Sequence, residues 1–203
     1  MKLILDPQNV IGDCLASAFG LETYLDLLAE VSKPDFEATK EFRKAFNGFY
    51  KVRSRRAAWY DRYYSLLKEQ KNSPRSYGAL LRELYRCDGN NKVEVSFASK
   101  LIATVDPSKP IWDQYVLKNL GLNKDWERAR EKEYEERIET AERIYAEIEN
   151  RCGAFLRSPA GRQCIDLFDR VLPDYQDDIS DIKKIDFFLW LKRDQKKKKA
   201  PHT

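Results

Sequence analysis

Lys100 and Asp113 are the residues of this chain whose types and spacing best fit covalent chemistry. The lysine lies in "SFASKLIATV" and the aspartate in "PIWDQYVLKNLGL", joined through the turn "DPSKP". A lysine amine attacks an electrophilic carbon once it has lost its proton, which requires desolvation or a neighbouring cation. A carboxylate heading a helix is stabilised by the helix N-terminus, and there it can accept a proton or balance developing positive charge. Each residue also has a purely structural use. Phe97, Leu101 and Val105 form the apolar face of the first helix, which leaves Lys100 on the flank, where a lysine snorkels to water. Asp113 is a good N-cap for a helix carrying Val116, Leu117 and Leu120 and closed by Gly121, with Ile111 and Trp112 as a staple before it.

The elements that must position this pair read as helices almost throughout. Leu21, Tyr24, Leu25 and Leu28 give a helix that stops before "SKPD". Asp35 is expected to cap the next, which carries Phe36, Phe42 and Phe46 and breaks at Gly48, with Phe49, Tyr50 and Val52 as an extended link. A helix over about 56–71 places Trp59, Tyr63, Leu66 and Leu67 on one face. Ser73 and Pro74 suit the start of another, which carries Tyr77, Leu80, Leu81, Leu84 and Tyr85 and ends at "CDGNN". A long helix should begin near Asn123. In it, Tyr134, Ile138, Ala141, Tyr145, Ile148 and Cys152 recur at spacings of four and three, a short heptad-like seam that packs on the protein's own helices or joins two copies in a homodimer. After "SPAG" come a helix through Ile165, Phe168 and Val171 and one over about 180–191. The latter is expected to bury Ile182, Ile185 and Phe188 or Leu189, with Ser180 or Asp181 as cap. The fold class is therefore all-α: one compact multi-helix domain over residues 1–195, divisible into two helical lobes near residue 123, then a disordered basic tail over 196–203. At least about 55% of residues should be helical, well above the roughly 30–35% of an average domain.

Bulk composition narrows the function classes. Of 203 residues, 42% are hydrophobic and 34% charged, as in a folded set of amphipathic helices, and the net charge of +4 does not by itself announce nucleic acid. The distribution says more. Residues 40–75 hold eleven Lys/Arg against three acids, and "KRDQKKKK" repeats the bias, whereas residues 124–151 hold ten acids and seven bases. Such an asymmetric field steers anionic partners. Cys14, Cys87, Cys152 and Cys164 form no Cys-x-x-Cys pair and His202 is the lone histidine, so no metal and no cofactor is expected. "MKLILDPQNVIGD" does not read as a signal peptide, and no apolar run approaches membrane-spanning length. A cytoplasmic protein with reduced thiols and no membrane association is expected. No HExxH, GxSxG or Gly-rich phosphate motif supports a hydrolase or nuclease.

Over residues 56–122 the chain resembles the helix-hairpin-helix DNA glycosylase superfamily, the endonuclease III-like enzymes. "LLRELYRCDGNNKVEV" matches the helix and hairpin, "SFASKLIAT" the lysine helix, and "PIWDQYVLKNLGL" the aspartate helix. "EVSFAS" lacks the family's hairpin glycines, and the lysine-to-aspartate segment is more than a turn shorter than usual. The resemblance implies a DNA partner and base excision: Lys100 as Schiff-base lysine and Asp113 as the carboxylate, acting on a nucleotide flipped out of the duplex. It further implies phosphate contacts from Arg53, Arg55, Arg56, Arg62 and Lys71, and base stacking by Trp59, Tyr60 or Tyr63, whose other reading is core packing. Whether the fold is catalytic stays open at this point. The alternative is a non-enzymatic helical protein–protein interaction module. Geometry separates the two: the first needs Lys100 and Asp113 in one cleft with the basic segment beside it.

Overall fold

A computed structural model describes residues 7–88 and 92–191, and the side chains of 20–87 and 92–189. Of the described residues 75% are helical and none is in a strand. Among them ten helices follow one another: α1 Pro7–Ser32, α2 Lys40–Tyr50, α3 Ala57–Asn72, α4 Tyr77–Asp88, α5 Val95–Val105, α6 Gln114–Leu120, α7 Asn123–Ala129, α8 Tyr134–Leu156, α9 Pro159–Val171 and α10 Asp181–Leu191. The turn "CDGNN", the tail over 196–203, His202 and the Cys14 side chain fall wholly or partly outside the described residues.

One hydrophobic cluster runs from Leu21 to Leu189. α5 lies at its centre because it is the most apolar of the short helices; Val95, Ala98, Leu101, Ile102 and Ala103 are all buried, against α1, α3 and α4. Aromatic residues fill the space between α2 and α3. Phe42, Phe46, Tyr50, Tyr63 and Tyr64 meet with ring centroids 4.6–6.2 Å apart. Three of these five pairs are edge-to-face, an arrangement that adds to the burial each ring brings. α8 backs onto α4, α7, α9 and α10. The chain after Asn123 therefore shares its core with the chain before it.

Several helix limits differ from the sequence reading, each for a local reason. Thr39, not Asp35, caps α2, accepting from the Phe42 amide. α2 runs through Gly48 to Tyr50, so Phe49 and Tyr50 are helical, and the break comes at Lys51 in the left-handed conformation (φ 56°). α4 starts at Tyr77 rather than after Ser73, and the Ser76 hydroxyl accepts from the Ala79 amide. The long helix expected from Asn123 is two, α7 and α8, interrupted at residues 130–133. The 134–152 seam packs on the protein's own helices. Ile138, Ala141, Tyr145, Ile148 and Cys152 are buried within the chain, and Tyr134 stacks on Tyr85 at 3.8 Å.

Candidate functional site

Lys100 does not snorkel to water. Its Nζ donates to the Tyr50 carbonyl at 2.9 Å and lies 5.0 Å from the Phe97 ring. Tyr50 ends α2, so its carbonyl is one that no later turn of helix can satisfy, and the ammonium sits at the negative end of the helix dipole. Thr104, one turn on in α5, fastens the arrangement. Its hydroxyl donates to the Lys100 carbonyl at 2.7 Å, and its oxygen meets the Tyr50 hydroxyl at 3.2 Å. Burial pulls the Lys100 amine down to about 8; the Asp113 carboxylate opposes this, and the Lys183 ammonium adds to it.

Asp113 caps α6 as its sequence predicts. A carboxylate oxygen accepts from the Tyr115 amide at 2.8 Å, and Gly121 closes the helix at φ 72°, a left-handed conformation suited to glycine. One hydrogen bond ties this cap to the lysine helix. The Trp112 amide donates to the Ser99 hydroxyl at 2.9 Å, and both residues are buried. Ser99 precedes Lys100 and Trp112 precedes Asp113, so this bond brings the two site residues to the same wall.

A second pair faces them from α10. Lys183 and Asp186 are 7% and 6% exposed, with Nζ and a carboxylate oxygen 3.6 Å apart. The ammonium lies 5.0–5.9 Å from four ring centroids, those of Tyr24, Phe49, Tyr50 and Phe187. Ring faces attract a desolvated cation, which with Asp186 offsets the cost of burying it. Burial still lowers the Lys183 amine, and it raises the Asp186 carboxyl to about 6 against the pull of Lys183. Asp186 Oδ1 is buried with no hydrogen-bond partner.

All four charged residues line one cleft of about 970 Å³. Phe49, Tyr50, Phe187 and Val116 supply apolar wall, and Lys44 and Lys51 also border it, on α2 and just after it. The volume is at the upper end of the range for small-molecule sites, and apolar walls with a few converging polar groups are the usual make-up of such sites. No family model, curated protein or solved structure matches the chain. Among the described residues no group of His, Cys, Asp and Glu is arranged to hold a metal ion, and no helix is long and apolar enough to cross a membrane.

The residues expected to touch DNA divide sharply. Arg53 and Arg56 are exposed beside the N-terminus of α3, which has no side-chain cap. The others are engaged inside the protein. Arg55 pairs with Glu94 at 2.5 Å and lies over Trp59 and Phe97. Arg62 bridges Glu69 and Glu83 at 2.5 and 2.6 Å. Lys71 donates to the Lys33 carbonyl. The stacking assignment is corrected for Trp59 and Tyr63: both are 0% exposed, stacked on each other at 4.8 Å. Tyr60 is half-buried, its hydroxyl donating to the Val52 carbonyl. The sequence reading missed Lys183, Asp186, Lys44 and Lys51. The signal for the α10 pair was present: "IDFFLWL" is apolar nearly all round, and a helix buried on every side must bury its charges too.

Proposed function

We propose that this protein binds DNA and cleaves the glycosidic bond of a single nucleotide turned out into the cleft, with Lys100 as nucleophile and Asp113 as proton acceptor. The carrying observation is that Lys100, with its amine lowered to about 8, lines the same cleft as Asp113. A solvated lysine keeps its proton at neutral pH; this one has an appreciable neutral fraction, as a nucleophile requires. The cleft size, its aromatic wall and the likeness of residues 56–122 to the helix-hairpin-helix glycosylases support the same reading. Exposed Arg53 and Arg56 would meet the backbone, with the open N-terminus of α3 beside them adding amide donors for a phosphate.

In this chemistry the neutral Lys100 amine attacks C1′ while the C1′–N bond to the base breaks. The bonding pair leaves with the base, which takes up a proton from water, and the new ammonium passes its proton to Asp113. The resulting N,O-acetal then opens: the C1′–O4′ bond breaks, O4′ takes up the proton lost from nitrogen, and a C1′ imine remains. Borohydride reduces that imine to a stable amine, so the adduct can be counted. An abasic-site duplex presents C1′ as an aldehyde and removes any dependence on the base. The expected result is a trapped protein–DNA adduct that Lys100→Gln abolishes. Asp113→Asn keeps a capping side chain, holds stability within about 1 kcal/mol, and lowers excision by orders of magnitude. An adduct that survives Lys100→Gln overturns the reading.

A further inference from the structure

Lys100 shares the cleft with a second buried amine. Lys183 lines it too, and Tyr50 stands between them: its carbonyl accepts from Lys100, and its ring is one of the four around Lys183. The geometry points to Lys183 as a positioning residue whose fixed positive charge activates Lys100. The inference rests on Lys100 being the working amine.

A cation activates a neighbouring amine only if it keeps its own charge and cannot swing away. Both conditions have a visible cause. Four ring faces and the Asp186 carboxylate stabilise the Lys183 ammonium and surround it in a buried setting. Lys100 has a weaker set. Its amine donates to a neutral carbonyl, with the Phe97 ring face nearby. Of two amines sharing a cleft, the one with a carboxylate at 3.6 Å and four rings holds its proton more firmly, and Lys100 is the one that yields.

The other charges facing Lys100 come from three directions. Asp113 before α6 and Glu94 before α5 both favour its protonated form. Glu41 and Lys44 on α2 and Lys51 just after it border the same cleft and partly offset one another. Asp186 on α10 faces Lys183 first. Replacing Lys183 therefore removes the cation that opposes Asp113, and no other buried cation among the described residues of the cleft takes its place.

The test reads Lys100 itself and uses no DNA. Competitive acetylation across a pH series, followed peptide by peptide by mass spectrometry, gives the titration midpoint of each lysine in the folded protein. Lys183→Met preserves the bulk within the rings and removes the charge. The Lys100 midpoint should rise by about one pH unit, a roughly tenfold smaller neutral fraction at a given pH below it. Lys183→Arg keeps the charge and should hold the midpoint near that of the natural protein. The double change Lys183→Met with Asp186→Asn removes the pair as a unit, which buried ion pairs often tolerate, and should give a smaller rise in the same direction, because the Asp186 charge goes with it, if the single variant does not fold. An unmoved midpoint in either uncharged variant overturns the inference. If Lys100 titrates as expected but no DNA adduct is trapped, the glycosylase reading fails alone. If the adduct forms and Lys183→Met leaves the midpoint in place, the role of Lys183 fails alone.

Discussion

The Lys100 ammonium and the Tyr50 carbonyl lie 50 residues apart in sequence and 2.9 Å apart in space, so α5 is fastened to the end of α2 at the wall of the cleft. A chain end of α2 that would otherwise need water receives a cation. The cation in turn is held where water is scarce.

That arrangement predicts a pH dependence of stability at the alkaline side. The Lys100 amine falls from its ordinary 10.5 to about 8 on folding, so the folded state favours the neutral form. Its contribution to stability is present above 10.5 and is lost as pH falls through about 8. Lys100→Met should abolish that component. Urea midpoints of the two proteins, measured across this window, should differ by an amount that changes with pH between 8 and 10.5 and is constant below it. Taking the difference cancels the buried tyrosines, whose raised hydroxyls act in the opposite sense. A pH-independent difference would mean that Lys100 is solvated after all.

Asp186 gives the complementary window. Burial lifts its carboxyl from 3.8 to about 6, so here the folded state favours the protonated form. The stability this supplies is complete below 3.8 and is lost as pH rises through about 6. Asp186→Asn, neutral at every pH, should flatten the thermal midpoint across that interval relative to the natural protein. An equal slope in both proteins would show that the carboxyl titrates normally.

The legible and illegible parts of this site have different physical origins. Asp113 was readable because a cap is a local device: the aspartate, the apolar run and Gly121 all fall within one short segment. The all-helical fold was readable for the same reason, from apolar spacing repeated in segment after segment. Lys100 was recognisable as a candidate, but its burial was not, because the Tyr50 carbonyl that receives it is distant in sequence. Lys183 was harder to see, with only the apolar run "IDFFLWL" after it as a hint. A lysine between Ile182 and Ile185 reads as the polar edge of an amphipathic helix, and only packing against α1, α6, α8 and α9 turns that edge inward. The basic run over 40–75 counts charges without their partners: Arg55 is paired with Glu94 and Arg62 with the partly exposed Glu69 and Glu83.

Two glycines should respond to alanine with opposite signs. A Cβ at Gly161 would stand 2.0 Å from the Phe155 carbonyl oxygen, a backbone atom that cannot step aside without disturbing the turn into α9. Gly161→Ala should cost about 1–3 kcal/mol, as overpacking does. At Gly48, inside α2, a Cβ meets nothing within 4 Å. Gly48→Ala should stabilise by about 0.5–1 kcal/mol through helix propensity, while narrowing the cleft it lines. Chemical denaturation of the two variants decides both signs. A destabilised Gly48→Ala protein would show that α2 does not run through residue 48.

The DNA reading makes its sharpest demand on the arginines. Arg53 and Arg56 are exposed, whereas Arg62 is held between Glu69 and Glu83. A guanidinium already paired with two carboxylates has little charge left for a phosphate, and withdrawing it would expose both acids to the DNA. Removing Arg53 and Arg56 together should therefore lower the salt slope of duplex binding by about two, one for each phosphate no longer neutralised. Arg62→Ala should leave that slope nearly unchanged and reduce stability instead, by about 1 kcal/mol or less, because its carboxylate partners are partly solvated. The measurement is the affinity for one duplex at several salt concentrations, with a denaturation curve for each protein. If Arg62→Ala flattens the slope and the Arg53/Arg56 double variant does not, DNA lies across the face of α3 and α4 rather than at the N-terminus of α3, and the phosphate contacts assigned to Arg53 and Arg56 fail.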